Sequence, residues 1–403
     1  MLDLTDLDNF TNGFPHAVFT ELRQQRPVFF HEPTDRTPGG EGFWVLTRHA
    51  DVLAAAADAE ALSSHCGGPR TDGGTLIEDL PDGLAAGVLL NMMDDPRHNL
   101  LRRSTLPCVT PRALARLEAD LARRAEAIVE TAVEQGTCDF LVEVAAELPL
   151  QAIAGLMGIP QDDRHELFTW AEAMLDYDDR ALGESTEATA AANAAMFDYG
   201  RRLLDEKRAG TGTTDDILDA LVQSGLATKA EQQMFFSLLV AAGVETTRNS
   251  IAVGLLALVD NEDQWRTLDD DRSLLPSAVE EILRWASSAT YNRRTATREM
   301  RIRDHTIAPG DKVTLWWASA NRDEDVFDEP FRFDVRRDPN PHLAFGHGAH
   351  FCLGTNLARL EIRVLLSALL GRVASIELAG PPEWSRTNKH TGIRHLPVAL
   401  TAR

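Results

Sequence analysis

The run Phe345-Gly-His-Gly-Ala-His-Phe-Cys352-Leu-Gly354 delivers one cysteine to the start of a helical pattern. A thiol at a helix N-terminus meets the positive end of the dipole and unpaired N–H groups, which favour its anion and make it a metal ligand. Gly346, Gly348 and Gly354 permit a tight turn and close cofactor approach. Two other readings stand beside this one: a small buried thiol packed like an apolar residue, or a zinc or iron ion held by His347, His350 and Cys352.

Other spacings invite chemistry. Ala242-Gly243-Val-Glu245-Thr246-Thr247 interrupts the most apolar long segment, Phe235 to Leu258. Burying Glu245 and Thr246 without partners would cost several kcal/mol, so a plain core helix would carry Leu or Ala there. Thr246 can bond a preceding carbonyl, loosening the helix and holding water, and Glu245 can supply protons. A kink packed against another helix is the plain alternative. Ala242 and Gly243 leave room over a flat ligand. Glu281 and Arg284 are three apart on one helix face, as are His98 and Arg102 at a spacing of four. Each pair is also compatible with an ordinary exposed polar face.

The elements that must hold these residues follow from periodicity. Between Asp94 and Asn261 the pattern is helical nearly throughout, with breaks at Pro107, Gly136, Pro160, Gly183, Gly210 and Gly225, and about seven or eight helices fit. Further helices are predicted over Ser277 to Ala286 and Leu353 to Leu370. Short strands are predicted at Val28 to His31 and Phe43 to Leu46, with a strand pair over Thr295 to Leu315 that turns at Pro309-Gly310. The segment Ser63 to Asn91 lacks a period and reads as a long loop able to form a lid. Ala320 to Gly348 is aperiodic and too long to lie loose in a compact domain.

Composition narrows the function. The 403 residues, 44% of them hydrophobic, suffice for a sizeable core, and the formal charge of −22 argues against nucleic acid and anionic membranes. The acidic start lacks a signal peptide, the apolar segment is too polar at its middle to span a bilayer, and a cytoplasmic setting is expected. Cys66, Cys108 and Cys138 read as packing thiols in a reducing compartment. A Gly-x-Ser-x-Gly elbow and a phosphate-binding Gly-x4-Gly-Lys-Ser/Thr loop are both absent.

Taken together, these runs resemble the cytochrome P-450 family. Its cysteine signature, Phe-x2-Gly-x3-Cys-x-Gly, is met by Phe345, Gly348, Cys352 and Gly354, and its ExxR motif by Glu281 and Arg284. The similarity extends over most of the chain, weakest at 1 to 40, 60 to 90 and 175 to 195. It implies a mainly α fold with small β-sheets: a prism-like single domain over residues 1–403, with haem b between the central helix and the cysteine loop. By the same resemblance Cys352 ligates the iron, with Ala242, Gly243, Phe345, Gly346 and Gly354 around the haem and His98, Arg102, Arg294 and His350 near its propionates. Glu245 and Thr246 take the catalytic roles, and Arg332 in Pro330-Phe-Arg-Phe joins Glu281 and Arg284 to anchor the aperiodic segment.

The activity so implied is insertion of one atom of O2 into an apolar terpenoid, steroid, branched lipid or polyketide. Electrons would come from NAD(P)H through a separate ferredoxin and reductase docked near Cys352, against a patch of Arg102, Arg103, Arg359 and Arg363. Substrate contacts are expected from Leu90, Met92, Leu239, Ala242, Ala289, Thr290 and Ile393. The alternatives are a peroxide-driven haem-thiolate enzyme and a non-enzymatic haem- or zinc-binding helical protein.

Overall fold

The computed structural model describes residues 2–175, 181–212 and 215–403. The helices begin and end where the local chemistry requires. Pro111–Gln135 opens with Pro in its first turn and the Thr110 side chain accepting from the Ala113 N–H, and it stops at Gly136 with φ of 74°. The central helix, Lys229–Asp260, starts from a Thr228/Glu231 capping box. Seven α-helices lie between Asp94 and Asn261 among the described residues.

The central helix packs against Glu147–Met157, Glu187–Ala209, Leu275–Ala286 and Thr355–Arg372, and its apolar residues join one large core with theirs. Gly254 sets the distance to Leu275–Ala286, since a Cβ there would stand 2.6 Å from Ile282 Cγ2. Being apolar on several sides, the helix is buried on several sides.

A five-stranded sheet flanks this core in the order Val28–His31, Phe43–Leu46, Lys312–Leu315, Asn292–Ala296, Leu62–Ser63. Phe43–Leu46 runs parallel to Lys312–Leu315, with Trp44 opposite Val313, and the other pairings are antiparallel. The strand pair predicted over Thr295 to Leu315 takes the form Asn292–Ala296 against Lys312–Leu315, with a small hairpin, Met300–Ile302 and His305–Ile307, inserted between them. This register seats Arg294 opposite Val313.

Residues 321–347 form neither helix nor strand, and a buried ionic cluster holds them. Glu281 and Arg284 are fully buried and paired at 2.7 Å. Arg284 donates to the Asn321 carbonyl at 3.0 Å and the Pro330 carbonyl at 2.9 Å, while Glu281 accepts from the Asp334 N–H at 2.9 Å and Asn340 Nδ2 at 3.1 Å. The third arginine is Arg337, 3.2 Å from Glu281, and not Arg332 as the resemblance implies. Arg332 projects outward to Glu329, and only its carbonyl takes part, accepting from Arg284 and Arg337. The cause is a turn at Asp334, whose carbonyl accepts the Arg337 N–H, returning residue 337 beneath the loop that carries residue 332 outward. No helix among the described residues is long and apolar enough to cross a membrane.

Candidate active site

A cavity of about 330 Å³ opens between the middle of the central helix and the cysteine loop. Ala242, Gly243 and Thr246 line it from one side, and Phe345, Gly346 and Cys352 from the other. The Cys352 N–H donates to the Phe345 carbonyl at 2.9 Å, which closes the loop two residues ahead of the helix Thr355–Arg372. Burial pushes the Cys352 thiol up, while the Gly354 N–H and the guanidiniums of Arg102 and Arg359 favour its anion. Gly348 has φ of 75°, and a Cβ there would run into the Ala56 carbonyl oxygen. The side-chain space missing at Gly243 is taken by Ile153, so that glycine serves helix packing as well as the cavity.

The cavity edge is cationic. Arg294, 6% exposed, lines it and donates to the Arg293 carbonyl, and burial lowers its guanidinium to about 10. Arg102 lines it too, likewise lowered by burial, and neither arginine has an ion-pair partner among the described residues. The neighbouring Arg293 pairs with Asp79 at 2.7 Å. His98 and His350 lie with ring centroids 4.1 Å apart and planes tilted by 37°; burial, then Arg294, His98 and Arg102, push His350 down to about 2, leaving it neutral. Two desolvated guanidiniums without a carboxylate suit a ligand that carries two carboxylates on one edge, as haem does with its propionates. The thiol, the small residues opposite it and this edge therefore fit haem. By contrast, His347, His350 and Cys352 are not among the His, Cys, Asp and Glu groups whose donor atoms gather within 4.8 Å, which leaves the zinc reading without a site at that loop.

Thr246 donates to the Ala242 carbonyl at 2.8 Å and lines the cavity. Glu245 is on the other side of the helix, bound to Arg248 and to Asn249 Nδ2, and it borders a separate cavity of about 400 Å³ together with His390 and Arg394. Burial raises its carboxyl, but Arg248, His390 and Asn249 prevail and hold it below the ordinary value. Of the expected substrate residues, Leu90, Leu239, Ala242 and Ala289 line the main cavity. Met92, Thr290 and Ile393 are not among its lining residues: Met92 is buried beneath Gly74, the Thr290 hydroxyl donates to the Asn388 carbonyl, and Ile393 is 1% exposed beside Asn249.

Of the expected arginine patch, Arg102 faces the cavity, Arg359 pairs with Glu280 and Arg363 with Glu118, and Arg103 alone is exposed without a charged partner among the described residues. The sequence reading missed Glu361. It is 2% exposed, lines the cavity and leaves Oε2 unbonded, and burial pushes its carboxyl up to about 8. The available signal was a lone acid among the apolar residues of Thr355–Arg372.

A cytochrome P450 family model matches residues 143–374, more than half of the chain. A Mycobacterium tuberculosis protein described as putative cytochrome P450 126 is 47% identical, covering 99% of this chain and 97% of its own length. The steroid C26-monooxygenase of the same organism is 36% identical, covering 100% and 93%. Among solved structures, the Mycobacterium marinum cytochrome P450 CYP268A2 in complex with pseudoionone superposes with a TM-score of 0.86 at 34% identity, covering 95% of this chain and 94% of that one.

Proposed function

This chain belongs to the cytochrome P450 family and is a haem b-dependent monooxygenase, and from that premise we propose that Cys352 would hold the haem iron through its thiolate and that the substrate is an apolar steroid, terpenoid or branched lipid. The observation that carries this reading is one apolar cavity bounded by Cys352, the small pair Ala242-Gly243 and two guanidiniums without an ion-pair partner among the described residues, Arg294 buried and Arg102 half-buried. When bound, haem supplies dioxygen activation, favoured by a thiolate ligand.

The chain's own residues do the rest. Arg102 and Arg294, with His98 and His350 beside them, would hold the carboxylate edge of haem. Ala242 and Gly243 keep the central helix low over the cavity. The Thr246 hydroxyl, fixed on the Ala242 carbonyl, offers its lone pairs to water, and Glu245, an ionised carboxylate paired with Arg248, accepts protons and passes them on from the side of the second cavity. Leu90, Leu239 and Ala289 exclude water and select apolar ligands, as a steroid C26-monooxygenase and a pseudoionone-binding P450 among its relatives suggest. A ferredoxin is the electron donor in this reading, and the exposed Arg103 contributes to its docking face. The setting is cytoplasmic, and the whole chain acts as one catalytic domain.

Reduced protein under carbon monoxide should show the red-displaced Soret band of thiolate ligation, and Cys352→Ser should lose it while keeping its far-UV circular dichroism. Wild-type protein that is haem-loaded and folded yet lacks that band would overturn the assignment. Steroids and branched lipids that shift the iron spin state identify the substrate class, and an Arg103→Glu variant should be reduced more slowly by ferredoxin with an unchanged spectrum.

A further inference from the structure

We propose that His65, Cys66 and Asp82 form a zinc-class metal site that clamps the segment 64–89 beside the main cavity. His65 Nε2, Cys66 Sγ and a carboxylate oxygen of Asp82 lie within 4.8 Å of one another, the sole such group of three His, Cys, Asp or Glu donors among the described residues. Imidazole, thiolate and carboxylate are the three donor types that zinc accepts, and three protein donors leave a fourth position for water.

Bond lengths of about 2.0–2.3 Å place tetrahedral donors roughly 3.3–3.8 Å apart, so side-chain adjustments of about 1 Å convert the observed cluster into a coordination shell. His65 Nε2 already meets Asp82 Oδ1 at 2.6 Å. The side chains of His65 and Asp82 are 33% and 53% exposed, so an ion can enter from solvent.

The backbone around the cluster is already ordered. The Gly74 N–H donates to the His65 carbonyl at 2.7 Å, Ser63 Oγ donates to the Cys66 carbonyl at 3.0 Å, and Gly73 and Leu80 exchange backbone bonds. Gly87 sits under the His65 ring, where a Cβ would be 2.6 Å from Nε2, so the ring cannot turn away on that side.

Coordination replaces the His65–Asp82 hydrogen bond and the S–H bond by bonds to the metal. The neutral ring carries its proton on Nδ1, the thiol proton leaves to solvent, and no redox change occurs. Thr75 within the clamped segment and Leu90, the residue that follows it, both line the main cavity, so the ion stiffens a wall of the ligand site.

The test uses haem-loaded protein and zinc(II) in competition with a chromophoric chelator, with metal content read by elemental analysis. One zinc per chain is expected, with affinity lowered by about tenfold or more in Cys66→Ser and in Asp82→Asn and unchanged in Cys108→Ser. Wild-type affinity in Cys66→Ser, or no zinc retained by the wild type, overturns the site. A readout that needs no variant is alkylation mapped by peptide mass: zinc should protect Cys66 and leave Cys108 unchanged, and equal labelling with and without zinc also overturns it.

Discussion

Replacing Arg337 by alanine tests which arginine closes the buried cluster. Its guanidinium is 11% exposed and donates to Glu281 and to the carbonyls of Asp328, Glu329 and Arg332. Glu281 keeps Arg284, so the carboxylate is not left alone, and the loss is that of charge-assisted hydrogen bonds, about 1.5–3 kcal/mol. Arg284→Ala removes the inner partner of a fully buried carboxylate and should cost about 3–5 kcal/mol. Arg332→Ala removes an exposed pair with Glu329 and should leave the unfolding midpoint unchanged. The assay is equilibrium urea unfolding of the haem-loaded protein, followed by tryptophan emission and Soret absorbance together. Midpoint losses in the order Arg284→Ala, Arg337→Ala, Arg332→Ala are expected, with haem released early in the first two because residues 321–347 lead directly into the cysteine loop. A loss in Arg332→Ala equal to that in Arg337→Ala would refute the assignment.

Further predictions concern the cavity and its neighbours. Glu361 is pushed up to about 8, so between its unfolded value near 4.5 and about pH 8 the unfolded chain releases a proton that the native state keeps. Stability should therefore fall across that window by on the order of a few kcal/mol, and Glu361→Gln should flatten the dependence of the urea midpoint on pH between 5 and 9. Arg294→Ala should weaken haem retention by about 1.5–3 kcal/mol, read as faster haem transfer to apomyoglobin; unchanged transfer would remove it from the cavity edge. Gly254→Ala should cost about 1–3 kcal/mol through the clash with Ile282, and Ile282→Ala in the same chain should recover part of that loss in thermal unfolding.

Local chemistry was legible without coordinates wherever it rests on neighbours in the chain. The loop Phe345 to Gly354, the capped and proline-bounded helices and the Glu281–Arg284 spacing are each set by residues within one or two turns, and the structure places them as their periodicity implies. The small residues and hydroxyls at 242–247 likewise marked the middle of the central helix as unlike a plain core helix.

What depended on the path of the chain was not legible. Arg332 and Arg337 both stand in a segment without a period, and only the turn at Asp334 decides which guanidinium turns inward. Met92, Thr290 and Ile393 have suitable side chains, yet Gly74, the Asn388 carbonyl and Asn249 occupy them away from the cavity. Glu245 and Thr246 are adjacent in sequence, but at about 100° per residue adjacent side chains on a helix leave in different directions, and packing gave each its own cavity.

The amino-acid sequence by itself therefore determined the family, the cysteine loop and the helical frame, because those follow from short-range spacing. Tertiary structure alone decided which arginine completes the cluster, which acid is kept neutral beside the cavity, and that His65, Cys66 and Asp82 meet. Burial and contact between residues distant in the chain are properties of the packed fold, and they set charge and hydrogen bonding in ways that no local pattern encodes.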